Sequence, residues 1–221
     1  GRSPRLLPST PDVSIGVAFV ALSAIVAGMQ GLVTGLAVLV AGMVGVALIS
    51  RSAWLAAGVA YSGLLGVCLA ALRGEDAAGL ASVVVLLVLV WATDSFAYFA
   101  GRTLGGPKLW PRVSPKKTWS GSIGGLVGGV VLAALAAWLF GVRIGPLLLL
   151  CLAVLSIVSQ AGDLFESAIK RHFDKKDSGC IIPGHGGMMD RVDGLIFAAI
   201  GAALIGALNG DHHIGQGLLS W

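Results

Sequence analysis

Long apolar runs separated by short polar segments dominate the chain. Seven of them approach the roughly 20 apolar residues that a helix needs to cross the hydrocarbon core of a bilayer. They are residues 13–29, 31–50, 53–72, 78–100, 120–141, 145–169 and 194–210. Each run is predicted to be a helix, because a single segment in lipid must satisfy its own backbone hydrogen bonds. Only Gln30 and Gly31 separate the first two, which predicts a tight helical hairpin.

The composition agrees with a bilayer environment. Hydrophobic residues make up 56% of the chain and charged residues only 12%, whereas soluble domains carry about 25% charged residues. The three cysteines form no CxxC pair, which argues against a disulfide framework or a zinc site. The chain begins with Gly1, and its first apolar run is long enough to be a span rather than a signal peptide. We expect an all-α, polytopic integral membrane bundle.

The distribution of lysine and arginine predicts the orientation of this bundle. With the N-terminus in the cytoplasm and seven spans, 13 of the 15 basic residues lie on the cytoplasmic side, and only Arg73 and Arg143 lie outside. The two long charged loops, about 101–119 and 170–193, then share the cytoplasmic face. Chemistry is therefore expected at that face.

A stripe of polar residues marks the end of the sixth apolar run. Asp163, Glu166, Ser167 and Lys170 are spaced i, i+3, i+4 and i+7, so a helix places them on one side. Ionisable groups near lipid are costly and usually face a polar cavity, where they serve function. The alternative is a helix end that only anchors the protein at the interface.

Basic residues and a glycine-rich turn follow this stripe. The basic residues are Lys170, Arg171, Lys175 and Lys176. Taken alone, these basic residues are equally consistent with a role that only attracts anionic lipid headgroups. The turn Pro183-Gly184-His185-Gly186-Gly187 permits close approach of the backbone to a ligand, and successive N–H groups in such a turn can bind an anion. It is not a Walker A loop.

Two carboxylates precede the last apolar run. Asp190 and Asp193 lie three residues apart, which places them on one side of a helix start. Such a pair suits Mg²⁺, which prefers oxygen ligands and shares them with substrate phosphates. Arg191 between them is able to clamp a phosphate. The alternative is an acidic helix N-terminus that favours the helix dipole.

The other cytoplasmic loop carries a second set of charges. Asp94 lies inside the fourth apolar run, near its cytoplasmic end, where a carboxylate needs a partner cation or a metal. Lys116 and Lys117 precede the fifth run and offer positive charge to phosphates. Trp119 fits an interfacial aromatic residue.

These motifs together resemble the phosphatidate cytidylyltransferase family. The resemblance covers roughly residues 90–195, and the first ninety residues match only as generic spans. Within the matched region, Ser120 stands where the family more often has Glu or Gln, and Gly194 where Ser is commoner. The matching motifs are Asp94-Ser95-x-Ala97-Tyr98-x-x-Gly101, Ser114-Pro115-x-Lys117-Thr118-Trp119, Gly162-Asp163-Leu164-x-Glu166-Ser167-x-x-Lys170-Arg171, Lys176-Asp177-Ser178-Gly179, Ile182-Pro183-Gly184-His185-Gly186-Gly187 and Asp190-Arg191-x-Asp193.

The resemblance implies transfer of CMP from CTP to phosphatidate in the cell (inner) membrane, giving CDP-diacylglycerol and pyrophosphate at the cytoplasmic face. It implies one or two cations, of which one is Mg²⁺, a homodimer and no nucleic-acid partner. Residues 1–90 would form N-terminal helices and 91–221 a catalytic membrane domain. The implied metal ligands are Asp163, Asp190 and Asp193, joined by Asp94 or Glu166. The implied catalytic residues are Asp163, Lys170, Asp190, Arg191 and Asp193. The implied substrate-binding residues are Lys117, Ser167, Arg171, Lys176, Gly184, His185, Gly186 and Gly187.

Other readings of the same charges stay open. The lipid substrate could be another lipid phosphate, such as that of a polyprenol, or CTP could serve a lipid kinase as phosphate donor. Pyrophosphate release marks a cytidylyltransferase and CDP release marks a kinase. A different class is a cation-coupled transporter that uses Asp94, Asp163 and Glu166 as its path. A structural scaffold would leave the charged loops unexplained.

Overall fold

A computed structural model describes residues 10–173, 192–209 and 213–221. Helices dominate these residues. In chain order they are α1 (Thr10–Gln30), α2 (Leu32–Ser50), α3 (Ala53–Arg73), α4 (Ala77–Thr103), α5 (Trp119–Leu139), α6 (Pro146–His172), α7 (Asp193–Asn209) and α8 (Ile214–Leu219). Helices α1 to α6 are long and apolar enough to cross a membrane, and α7 is a shorter apolar helix. The predicted polytopic helical membrane protein is confirmed, and each of the seven predicted runs is a helix.

Polar residues at the helix starts explain where several helices begin. The side chain of Ser52 accepts a hydrogen bond from the Leu55 N–H at 3.2 Å, and that of Asp76 accepts one from the Gly79 N–H at 2.7 Å. Helix α6 starts instead with a proline in its first turn, whose missing N–H costs nothing there. The predicted hairpin between α1 and α2 turns at Gly31, whose φ of 93° suits glycine.

The buried side chains form two clusters that meet at α3. One cluster joins α1, α2 and α3 around Leu39, Val46 and Val67. The other joins α3 to α8 around residues such as Leu72 and Leu89. Helix α3 therefore packs against both groups of helices. The division of the chain near residue 90 stays a prediction.

A small hairpin between α4 and α5 was not predicted. Strand β1 (Lys108–Trp110) pairs antiparallel with β2 (Ser114–Thr118), with Lys108 opposite Thr118. The segment is short and polar and contains prolines, so it lacks the alternating pattern that predicts a strand. The hairpin leads straight into α5, because the Thr118 side chain caps that helix by accepting a hydrogen bond from the Gly121 N–H at 3.1 Å. This fixes where Lys117 lies relative to the helices.

Helix α7 begins inside the bundle, not level with the end of α6. A Cβ atom on Gly162 of α6 would lie 2.9 Å from the carbonyl oxygen of Asp193, and one on Gly194 would lie 2.7 Å from Ser159 Oγ. The two glycines therefore let α6 and α7 approach closely. Gly162 lies ten residues before the end of α6 at His172. The first turn of α7 thus lies next to the beginning of the α6 polar stripe, at Asp163.

Candidate functional site

A cavity of about 500 Å³ lies between α4, the hairpin, α5 and α6. Its walls carry both acidic and basic side chains, which is unusual among apolar helices. Its lining residues include Asp94, Tyr98, Arg102, Lys116, Lys117, Thr118, Ser122, Gln160 and Asp163. Three residues predicted from the sequence, Asp94, Lys117 and Asp163, therefore line one cavity.

The acidic residues of α4 and α6 lie at similar depths along their helices. Asp94 and Asp163 each lie nine residues before the last residue of their helix. At 1.5 Å per residue this is about 14 Å along the axis. Both helices end on the side of the bundle where most of the described lysine and arginine residues lie. The carboxylates are thus recessed from that end, within reach of a headgroup entering from it.

Lys117 and Asp163 form an ion pair in this cavity. The Lys117 ammonium contacts the Asp163 carboxylate, and the two side chains are 27% and 29% exposed. Asp94 is subject to the charges of Asp163, Asp193 and Lys117. Lys117 therefore lies within electrostatic range of two carboxylates that line the cavity, Asp94 and Asp163.

The polar stripe of α6 has the geometry that its spacing predicts. Ser167 Oγ lies 3.4 Å from Asp163 Oδ1, and Lys170 Nζ lies 3.5 Å from Glu166 Oε2. Glu166 is almost fully buried, with 3% of the residue exposed. Each pair joins two residues of the stripe one turn apart, and the chemical roles of these residues stay predictions.

Asp193 brings the first turn of α7 to this stripe. Its side chain interacts with Glu166 and lies in the field of Asp163 and Lys170. One carboxylate oxygen accepts a hydrogen bond from the Gly194 N–H at 2.7 Å. Asp163 and Asp193, from different helices, are therefore neighbours in the fold, as a shared cation would require.

Several predicted site residues cannot be placed against this geometry. Lys176, Gly184, His185, Gly186, Gly187, Asp190 and Arg191 lie outside the described residues. Arg171 is described and exposed on the last turn of α6. The roles assigned to these eight residues stay predictions.

The described carboxylates fit a cation that is shared with a ligand better than one held by protein alone. Within residues 10–173, 192–209 and 213–221, no three His, Cys, Asp or Glu side chains group closely enough to hold a metal ion. Mg²⁺ commonly uses only one or two carboxylates and takes its other ligands from substrate phosphates and water. Asp163 and Asp193 supply oxygen donors of that kind.

The cavity also contains polar residues that the sequence did not single out as site residues. Ser122 Oγ donates a hydrogen bond to Gln160 Oε1 at 2.5 Å, which links α5 to α6. Arg102 Nη1 donates to Tyr98 Oη at 2.6 Å. Gln160 inside an apolar run was the available signal, whereas Ser122 looks like an ordinary small packing residue. Only the fold shows that they line the same cavity.

Helices long enough to cross a membrane, together with a charged cavity recessed between them, define a multi-pass membrane protein with an internal polar site. Residues 7–208 match the model of the cytidylyltransferase family. The match covers most of the chain, so the chain belongs to this family. The resemblance drawn from the sequence motifs is thereby confirmed.

Curated relatives support this assignment. The chain is 52% identical over 163 residues to a protein of Brucella abortus named phosphatidate cytidylyltransferase, an alignment covering 72% of this chain and 59% of the relative. It is 47% identical over 127 residues to the protein of that name from Bacillus subtilis, covering 57% of this chain and 47% of the relative. The aligned part thus spans about three-fifths of the Brucella protein and about half of the Bacillus protein.

Proposed function

We propose that this chain is the catalytic part of a phosphatidate cytidylyltransferase, which transfers CMP from CTP to phosphatidate and releases pyrophosphate. One observation supports this most directly. Carboxylates and ammonium groups from the hairpin, α6 and α7 meet in one recessed site: Lys117 pairs with Asp163, and Lys170 and Glu166 adjoin Asp193. A site with both acidic and basic side chains suits a reaction between two anionic substrates that is assisted by a bound cation. The relatives described above carry the name of this activity.

The chemistry needs positioning more than it needs a strong base. A phosphate monoester has a second pKa near 6, so at neutral pH it is mostly a dianion. Its oxygen forms a bond to the α-phosphorus of CTP, and the bond from that phosphorus to the bridging oxygen breaks as pyrophosphate leaves. Phosphoryl-type transfer of this kind depends mainly on alignment and on neutralising charge. Lys117 and Lys170 would reduce the repulsion between the two phosphates.

Mg²⁺ would be held by Asp163 and Asp193, which offer oxygen ligands from neighbouring helices. When bound, it would supply charge neutralisation for the triphosphate. Asp94 and Glu166 would adjust the net charge of the site and could ligate a second cation. Asp190, Arg191 and the turn at 183–187 are proposed to complete the site, on the sequence motif alone.

The site is proposed to face the cytoplasm, in the bacterial inner membrane. The excess of basic residues on one side supports this orientation, because positive loops remain cytoplasmic. CTP is a cytoplasmic nucleotide, so this face gives it direct access. The acyl chains of phosphatidate would stay in the bilayer while the headgroup enters between helices. A homodimer is proposed from the family resemblance alone.

The transporter alternative is less well supported. A cation path would need polar groups through both halves of the bundle. The described acids that adjoin the site lie towards one end, and the buried residues from Val85 to Leu89 of α4, namely Val85, Leu86 and Leu89, are apolar. A CTP-dependent lipid kinase would use a similar set of charges, so only its products distinguish it.

The test is incorporation of label from CTP by the purified protein. CTP labelled in the cytosine ring, with phosphatidate in mixed micelles and Mg²⁺, should give a chloroform-soluble product and one pyrophosphate per CMP transferred. Asp163→Asn should lower the rate at least about a hundredfold, since loss of one strong charge interaction in a reaction of this kind costs that much. Asp76→Asn is the matched control, because Asp76 caps α4 at the opposite end of the bundle and Asn also caps helices.

Each outcome separates one reading from another. CDP release with a phosphorylated lipid would indicate the kinase. Absence of any CTP-dependent product in the folded wild-type chain would refute the proposed function. Equal rates for Asp163→Asn and Asp76→Asn would be compatible with cytidylyl transfer but would show that Asp163 does not take part in it.

A further inference from the structure

Tyr61 lies in α3, a helix that the sequence motifs described only as a span. Its side chain is half-buried, and its hydroxyl oxygen is shielded from solvent. Within the part of the chain that the structure describes, no group forms a hydrogen bond with this hydroxyl. A buried hydroxyl is normally paired, because leaving it unpaired costs free energy. The position of the Tyr61 hydroxyl therefore needs an explanation.

The surroundings of Tyr61 place its hydroxyl at the charged site. The hydroxyl lies within electrostatic range of the carboxylates of Glu166, Asp193 and Asp163, of which Glu166 interacts with it most strongly. Helix α3 packs directly against α7. Near its start, the Trp54 ring contacts Phe173 just after α6, with centroids 4.6 Å apart. Helix α3 is thus a third wall of the site, beside α6 and α7.

The depth of Tyr61 also matches that of the acids. Tyr61 lies eight residues after the first residue of α3, about 12 Å along the axis. Asp94 and Asp163 lie about 14 Å from the corresponding ends of α4 and α6. A phenol at this depth offers a neutral hydrogen-bond donor next to carboxylates that offer only acceptors. The described carboxylates are near enough to act on the hydroxyl but are not hydrogen-bonded to it.

We propose that the Tyr61 hydroxyl donates a hydrogen bond to a phosphate oxygen of a bound substrate. The inference rests on the proposed function and extends it to a residue of the N-terminal helices. An anion bound near Glu166 and Asp193 would be within range of both Lys170 and the Tyr61 donor. A neutral donor favours the phosphate without the cost of burying another ion beside Lys117 and Lys170.

The test compares Tyr61→Phe with Ser62→Ala. Both substitutions remove one hydroxyl from the same turn of α3. Ser62 is exposed and its hydroxyl already bonds the Gly58 carbonyl at 2.6 Å, so it reports the effect of a substitution away from the site. Tyr61→Phe should lower kcat/KM by about ten- to a hundredfold, the range for a hydrogen bond to a charged group. Ser62→Ala should match the wild type.

Titrating each substrate separately identifies which phosphate is contacted. A raised KM for CTP assigns the contact to the nucleotide, a raised KM for phosphatidate assigns it to the lipid, and a fall in kcat alone assigns it to the transferring phosphate. Thermal unfolding of the detergent-solubilised protein provides a second readout. Substrate-free Tyr61→Phe should unfold at or slightly above the wild-type midpoint, because the buried unpaired hydroxyl is removed. The rise in midpoint caused by CTP and Mg²⁺ or by phosphatidate should shrink.

Two results would overturn the inference. One is wild-type kinetics in Tyr61→Phe, with the wild-type enzyme active. The other is a lower midpoint for the substrate-free variant with unchanged substrate-induced stabilisation, since the hydroxyl would then bond the protein itself. An inactive wild-type chain would refute the proposed function instead, which keeps the two failures distinct.

Discussion

The contact between α4 and α5, the most extensive among the described helices, allows a sharp test of how packing controls the site. A Cβ atom on Gly125 would lie 2.6 Å from the carbonyl oxygen of Thr93 and 2.9 Å from the Ala97 Cβ. Ordinary contacts begin near 3.4 Å, so the Cβ atom of Gly125→Ala would be about 0.8 Å too close to the Thr93 oxygen. Neither neighbour can rotate away, because one is backbone and the other a methyl group. The helices must separate.

The expected effect follows from two opposing terms. Overpacking of a tight contact costs about 1–3 kcal/mol, and the rigid neighbours here argue for the upper part of that range. Alanine is a better helix former than glycine by about 1 kcal/mol, which offsets part of the cost. The net loss of stability should be about 1–2 kcal/mol. Activity should fall further, because Gly121 and Ser122 line the cavity one turn away, and a displacement near 1 Å can cost about a hundredfold in rate.

The assay pairs an unfolding midpoint with turnover. Gly125→Ala and Gly58→Ala are measured in the same detergent at one heating rate, followed by cytidylyl transfer. Gly58 is the control, because it is exposed on α3 with nothing within 4 Å of a new Cβ. Gly58→Ala should be as stable as the wild type or slightly more so. If Gly125→Ala behaves like Gly58→Ala in both measurements, then the close approach of α4 and α5 is not what holds the cavity in shape.

Three further predictions test charge, buried polarity and metal. Lys117→Met should lower kcat/KM at least about tenfold, because it removes positive charge beside the phosphates. The control is Lys108→Met, which should not lower kcat/KM because Lys108 is exposed on β1. Equal effects of the two substitutions would show that Lys117 does not contact the substrates. Thr93 Oγ1 and Ser156 Oγ lie 2.9 Å apart and are fully buried. A double-mutant cycle of Thr93→Val and Ser156→Ala should therefore give a coupling of about 0.5–1.5 kcal/mol in the free energy of unfolding. Additive effects of the two substitutions would contradict a hydrogen bond between these hydroxyls. Chelation with EDTA should abolish turnover, with recovery on adding Mg²⁺, yet leave the unfolding midpoint of the substrate-free protein unchanged; a large fall in that midpoint would indicate a metal held by protein ligands alone.

Local sequence patterns predicted much of this fold. Apolar length predicted α1 to α7, because a lipid-exposed backbone has no other way to satisfy its hydrogen bonds. It did not predict the six-residue α8. Helical spacing predicted that Asp163 and Ser167, and Glu166 and Lys170, would be neighbours one turn apart. Both signals depend only on residues close in the sequence.

Other features depend on contacts between distant segments. Nothing near Tyr61 distinguishes it from an aromatic residue facing lipid, and only the packing of α3 on α7 brings it to the acids. The starting depth of α7 depends on Gly162 and Gly194, whose role appears only where α6 and α7 meet. Lys117 was predicted to bind phosphate, but its pairing with Asp163 required the unpredicted hairpin.

That pairing has a thermodynamic consequence for ligand binding. As long as Lys117 and Asp163 neutralise each other, a metal ion must displace the ammonium to reach the carboxylate, and a phosphate must displace the carboxylate to reach the ammonium. Under the roles proposed for these two residues, whichever ligand arrived first would release the partner that the second one needs. Binding of the nucleotide and of the cation would therefore be reciprocally linked, each raising the affinity of the other by the same factor.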